Sequence, residues 1–361
     1  MKYSILGLVL LVAIWTVFLF GVNSLAYSNE YLLMPNGKTF KFLNADEGYN
    51  FYLNNKLLDN FSGLDIQLRL EKEMQGKDLE ACKNEYQEFL KDQILNWKDI
   101  DKRFITKRLV KAYEMIEQTW PDVLQDTIYM ILTTGKQEFG GFHTMGNAIV
   151  CPQGKMRISS VYLPFLGYLK RYFTRVMVHE LFHVYSTNNP EKRSKLYEII
   201  GFEPINNLVL DSEVLSKLIY NPDDKPGFYK IRLTDKNSKT EKDYCMLILS
   251  KYPAWQGYIE FKGRISTLLV YVESYLHQIE RKGGEWVSVY DETGKPVIKQ
   301  KSDFIDFYDK TGYNSYSPEE IVAHLFIDLV LSEFDEDIIK NKPEHYRQLL
   351  IKLHSEINAH S

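Results

Sequence analysis

Cysteine is scarce in this chain. Cys82, Cys151 and Cys245 stand far apart among 361 residues and match no metal-ligand spacing. Three thiols define no disulfide framework: either one pair bridges in an oxidising compartment, or all three are buried and reduced. Excess positive charge is lacking too. Lys plus Arg number 44 against 48 Asp plus Glu, for a net charge of −4 and a pI near 6.1. That balance excludes a nucleic-acid binder whose affinity comes from a basic field. Internal repeats and low-complexity tracts are missing. At 45% hydrophobic, 14% aromatic and 25% charged residues, the composition is that of a folded protein and excludes disordered, collagenous and mucin-like classes. Beyond residue 26 no apolar run reaches membrane length.

Before residue 26 the pattern is different. Residues 5–22 form an uncharged run with Lys2 ahead of it, followed by the small-x-small tripeptide Ser24-Leu25-Ala26. This is the signature of a cleaved signal peptide and predicts an exported chain that begins near Tyr27. The run is also long enough, at about 18 residues, to span a bilayer. An uncleaved N-terminal anchor is therefore the alternative, and it is the sole membrane association expected. Residues 27–125 are read as a mainly helical N-terminal lobe and 126–361 as the region that carries the chemistry.

Residues 27–62 mix Asn, Gly, Lys and aromatics and predict irregular or hairpin-like structure. Apolar residues at helical spacing, among them Phe104, Leu109, Ala112, Met115 and Ile116, predict two or three helices over 66–120. A β-branched, turn-bounded stretch at 126–135 and a run at 142–151 predict neighbouring strands. Helices follow over 169–187 and from Asn189 to the stop at Gly201, with Pro190 at a first helical position. Residues 228–298 turn β-rich, although 268–280 suits either strand or helix. Ser317-Pro318-Glu319-Glu320 opens a helix to about 333, and a last amphipathic helix covers 343–357. The fold class is α+β.

Chemistry concentrates in His179-Glu180-Leu181-Phe182-His183. Two histidines one helical turn apart project from one face and can share a Zn²⁺, while Glu180 lies beside them to act on a water. The apolar neighbours Val178, Leu181, Phe182 and Val184 suit a helix buried at the floor of a cleft and argue against an exposed helix with casual i,i+4 contacts.

With this motif the sequence resembles the zincin metallopeptidases, whose active-site helix carries H-E-x-x-H after a mixed sheet with an antiparallel edge strand. It is most similar to the gluzincins, in which a Glu on a later helix, in patterns such as E-x-x-A-D, supplies the third zinc ligand. Glu320-Ile321-Val322-Ala323-His324 follows that pattern, with His324 at the place of the acid. The resemblance implies a zinc peptidase with a peptide or protein substrate. His179, His183 and Glu320 would be its metal ligands and Glu180 its general base. A metzincin would need a histidine where Asn189 stands. Glu203, which Pro204 disfavours as a helical residue, and then Glu198 rank behind Glu320.

Several readings stay open. Ser317-x-x-Glu320 is also a capping box, in which Glu320 would serve only the helix start. The family places an acid at the position of His324 to orient a ligand histidine. His324 is a weaker partner there or is itself the third ligand, and Asp328, one turn on, is a substitute. Activity is then either retained, altered or lost, and a zinc-binding but inactive relative that acts as a binding module is the alternative function. By position, residues 140–150 either supply the edge strand that holds substrate as an added strand or form an ordinary hairpin. Tyr313 and Tyr316 are candidate donors to an oxyanion. His277, His345, His354 and His360 have no motif around them.

Overall fold

Phe40 and Phe42 alternate with polar neighbours in the strand Thr39–Phe42 and turn inward, where they start the packing of the first of the two large sheets. A computed structural model describes residues 30–74, 76–162, 167–224, 227–254, 260–261, 264–265 and 271–359 of the protein. The expected signal segment 1–26 lies outside these residues. Among those described, no helix is long and apolar enough to cross a membrane. The architecture is mixed α+β, as the sequence pattern predicts.

The first sheet runs in the order Tyr31–Leu33, Thr39–Phe42, Thr127–Thr133, Ala148–Pro152, His143–Met145. Its middle strands pair in parallel, and the short strand Ile94–Leu95 pairs with Thr127–Thr133. The expected run at 142–151 is therefore two strands. Gly146, at φ 62°, turns the chain so that His143–Met145 folds back antiparallel on Ala148–Pro152 and forms the edge. Residues 31–42, assigned to the N-terminal lobe, share this sheet with residues after 126.

Three helices, Gly63–Leu70, Leu79–Gln93 and Asp99–Thr119, fill the stretch where two or three are expected. The last buries Phe104, Ile105, Leu109, Ala112 and Ile116 against the helix Gly167–Asn188. Phe104 meets Phe173 edge-on with ring centroids 5.2 Å apart. Gly167–Asn188 is apolar on more than one side because it is covered on more than one side: Met177, Val178, Leu181, Phe182 and Val184 are all fully buried. Its C-terminal carbonyls are satisfied by its own polar tail. Thr187 donates to His183 O at 2.6 Å, Asn188 to Val184 O at 2.7 Å and Asn189 to Tyr185 O at 2.8 Å. Pro190 then begins a new helix, Pro190–Ile199.

In chain order, the second sheet follows this pair of helices and is built around the antiparallel pair Glu241–Ser250 and Val272–Lys282, while the helix Pro318–Ser332 that comes after it packs directly on Gly167–Asn188. The ambiguous stretch at 268–280 is strand from Val272 onward. Gly283 and Gly284, at φ 61° and 93°, make the two-residue turn into Glu285–Ser288, a geometry that residues with a Cβ resist. Cys82, Cys151 and Cys245 are buried free thiols, so no disulfide joins the layers.

Candidate metal centre

The helix Gly167–Asn188 crosses beneath the edge strand and faces the start of Pro318–Ser332. Helical spacing puts His179 and His183 on one side of it, with their Nε2 atoms 2.9 Å apart. Glu320 joins them from the later helix: its Oε2 is 3.3 Å from His179 Nε2 and its Oε1 is 3.7 Å from His183 Nε2. Ligand atoms about 2.0–2.1 Å from a tetrahedral ion stand about 3.3 Å from one another, and these separations bracket that value. The three residues are the one group of His, Cys, Asp or Glu among the described residues whose ligand atoms all lie within 4.8 Å of each other.

Ser317 caps the helix by accepting the Glu320 N–H at 3.4 Å, as the capping reading expects. The Glu320 carboxylate does not return to the Ser317 backbone. It faces the two imidazoles and accepts a hydrogen bond from Asn221 Nδ2 at 3.2 Å. Glu203 sits apart on the strand Phe202–Ile205, paired with Lys230 at 2.6 Å. Glu198 lies with Asp309 and His345 in a separate hollow.

Glu319 is the residue that motif reasoning passes over. Buried to 1% exposure, its carboxylate lies 2.8 Å from His183 Nδ1 and accepts from Ser186 Oγ at 2.7 Å and from the Tyr197 hydroxyl. With Nδ1–H donated to Glu319, His183 keeps its Nε2 lone pair for the centre, which is how a carboxylate fixes the tautomer of a metal-binding histidine. The signal was the doubled acid after Pro318: adjacent helical residues point about 100° apart, so one can face the cleft while the other faces inward.

Glu180 accepts from the Thr144 hydroxyl at 3.1 Å, and that hydroxyl also reaches the Glu180 carbonyl at 3.2 Å. Burial pushes the Glu180 carboxyl above the usual carboxylate range, against the pull of His179 and His183. Burial alone would lower His179, but the Glu320 carboxylate beside it holds its pKa up at about 8. Glu320 is likewise buried, and the two imidazoles keep its carboxyl well below the ordinary value.

His324 stacks on Tyr313, with ring centroids 4.9 Å apart, and tilts against His179 at 5.5 Å. Burial and then the His179 charge depress it to about 4, so it is neutral. Asp328 is turned away into a network of its own. It accepts from Tyr313 at 2.7 Å, Tyr346 at 2.8 Å and Arg175 at 2.9 Å. The Tyr313 hydroxyl is thus engaged away from the centre, whereas Tyr316 is 39% exposed and lines a 210 Å³ cleft with Glu320, Phe142 and His143.

A strap at 220–224 closes one side of the cleft. Tyr220 N–H donates to Asp65 and its carbonyl accepts from Arg69, each at 2.9 Å. Asn221 reaches Glu320, and Asp224 accepts from Ser317 at 2.6 Å. Asp223 Oδ1 accepts the Thr144 N–H at 2.5 Å, so this backbone donor of the edge strand is already engaged.

Comparisons of the chain with protein-family models, curated proteins and solved structures find no match.

Proposed function

We propose that this chain is an exported, zinc-dependent metallopeptidase of gluzincin type. His179, His183 and Glu320 would hold Zn²⁺, and Glu180 would be the general base. The observation that carries the reading is the convergence of two Nε2 atoms and one carboxylate at 2.9, 3.3 and 3.7 Å, with Glu180 in the turn between the histidines. Export rests on the apolar run and the Ser24-Leu25-Ala26 site.

Zinc held there would supply Lewis acidity, lowering the pKa of a water and polarising a scissile carbonyl. Glu180, whose carboxyl burial raises, would take the proton of the water and pass it to the leaving amine. Thr144 orients Glu180, Glu319 holds His183 in the correct tautomer, and Asn221 steadies Glu320. Tyr316 is the phenol open to the cleft and the donor best sited for a developing oxyanion. A substrate strand added at the edge would take the Thr144 N–H over from Asp223.

A zinc-binding but inactive relative, acting as a binding module, is the second reading. It is favoured by His324 in place of an acid and by a Glu180 that is 2% exposed and bonded to Thr144. One set of measurements separates the two. Elemental analysis of the purified chain should find about one Zn²⁺, lost in His179→Ala and His183→Ala, because water does not replace a protein ligand without a large loss of affinity. Glu180→Gln should keep the metal and lose about 10²–10⁴-fold in hydrolysis of a broad peptide pool. Glu320→Gln should weaken both. Full metal retention in either alanine variant refutes the centre; zinc without any cleavage selects the binding module.

A further inference from the structure

Beside the cleft lies a second hollow of a different character. The cleft at Glu320 is mainly apolar, lined by residues such as Phe142, Ile219, Ile248 and Val272. Its neighbour, 420 Å³ in volume, is mainly polar and is lined by Lys251, Glu273, Lys301, Ser302, Asn314 and others. Val272 and Tyr316 line both, so the two adjoin at the Tyr316 ring. The phenol feels the Glu320 carboxylate on one side and the Glu273 carboxylate on the other.

The charges of the hollow do not balance. Lys251 pairs with Glu273 at 3.5 Å, and Glu273 also accepts from the Tyr275 hydroxyl at 3.0 Å. Lys301, partly buried at the start of the turn Lys301–Asp303, has no carboxylate within 4 Å among the described residues. A cation taken out of water without an anion is costly, and here it faces a space ringed by hydroxyl and amide groups.

We propose that this hollow is a carboxylate-binding subsite, in which Lys301 receives an acidic side chain or the C-terminal carboxylate of a peptide lying across Tyr316 in the Glu320 cleft. The assignment rests on the peptidase reading for the peptide's path, and it names the substrate class as peptides with an anionic group placed beyond an apolar contact. Burial lowers the Lys301 ammonium to about 8, against the pull of Glu273. A carboxylate seated beside it would oppose that shift and strengthen the charged form.

The test measures binding and cleavage separately on the full chain. In the Glu180→Gln background, affinities are compared for one peptide series carrying Glu, Gln or Lys at successive positions, each with a free or amidated C-terminus. Peptides with the carboxylate at one position should bind about tenfold or more tightly than their Gln counterparts. Lys301→Met should erase that preference and Lys301→Arg should keep it. If amidation alone removes the preference, the ligand is the chain terminus; if the Glu-to-Gln change alone removes it, the ligand is an acidic side chain. Equal affinity across the series, no binding of any peptide, or a preference undiminished in Lys301→Met overturns the subsite. Wild-type cleavage of the peptide pool without acidic preference defeats the subsite alone. Acidic preference in binding, with no wild-type cleavage, defeats the peptidase reading and leaves the subsite standing.

Discussion

His183 has a neighbour at both ends of its ring, His179 Nε2 at 2.9 Å from its Nε2 and Glu319 at 2.8 Å from its Nδ1. Glu319 accepts from three donors, His183, Ser186 and Tyr197, as a buried carboxylate requires if its charge is to be tolerated. Glu319→Gln keeps an oxygen for His183 but turns an amide N–H₂ towards Ser186 and Tyr197, and it removes the negative charge that strengthens the imidazole as a ligand. Zinc affinity should fall about 10–100-fold, measured by competition with a chromophoric chelator, with the metal still bound at saturation. An unchanged affinity would make Glu319 a packing residue only.

At the scale of elements, the start of Pro318–Ser332 does several tasks at once. Ser317 caps it, Pro318 occupies its first turn, Glu319 goes inward and Glu320 goes to the cleft. The strap at 220–224 ties this start to the helix Gly63–Leu70 through Arg69, which meets Asp65 at 3.0 Å and Glu138 at 2.7 Å while fully buried. Arg69→Met would leave two carboxylates without their cation. Such a loss costs about 3–5 kcal/mol, visible as a lowered urea midpoint. Because the Tyr220 carbonyl loses its Arg69 donor as well, hydrogen exchange should rise over 220–224 before the molecule unfolds. A midpoint unchanged from wild type would show that the strap is held by its other bonds.

For the whole molecule, the second sheet carries a pH dependence that can be separated from the centre. His277 is fully buried in Val272–Lys282 and its Nε2 lies 2.9 Å from Ser288 Oγ. Ser288 Oγ also accepts the Asp211 N–H at 3.0 Å. Burial lowers the His277 pKa in the folded chain. Below about pH 6.5, the unfolded value, the unfolded chain takes up a proton that the folded chain refuses. Stability is therefore full above that pH and falls as pH drops towards the folded value, by at most about 1.4 kcal/mol per pH unit. Urea midpoints from pH 8 to 5 should fall more steeply for wild type than for His277→Gln; equal slopes would remove His277 as the cause.

How much of this was legible beforehand follows from the range of the interactions involved. The pair His179 and His183, with Glu180 between them, was readable because helical period alone puts i and i+4 on one face. The apolar flanks of that helix announced its burial, and the α+β class followed from periodicity. The split of 142–151 at Gly146 and the strand at 272–282 were not decided by local pattern, since short apolar runs serve either state until a neighbour pairs with them. Glu320 was a candidate with two roles, helix cap and ligand. Only the packing of Pro318–Ser332 against Gly167–Asn188 turned its carboxylate to the imidazoles and that of Glu319 to Nδ1. Thr144, Asn221 and Lys301 carry no motif at all. Their positions come from an edge strand, a strap and a sheet brought together by long-range burial of apolar surface, and no spacing along the chain records which polar groups that burial will leave facing one another.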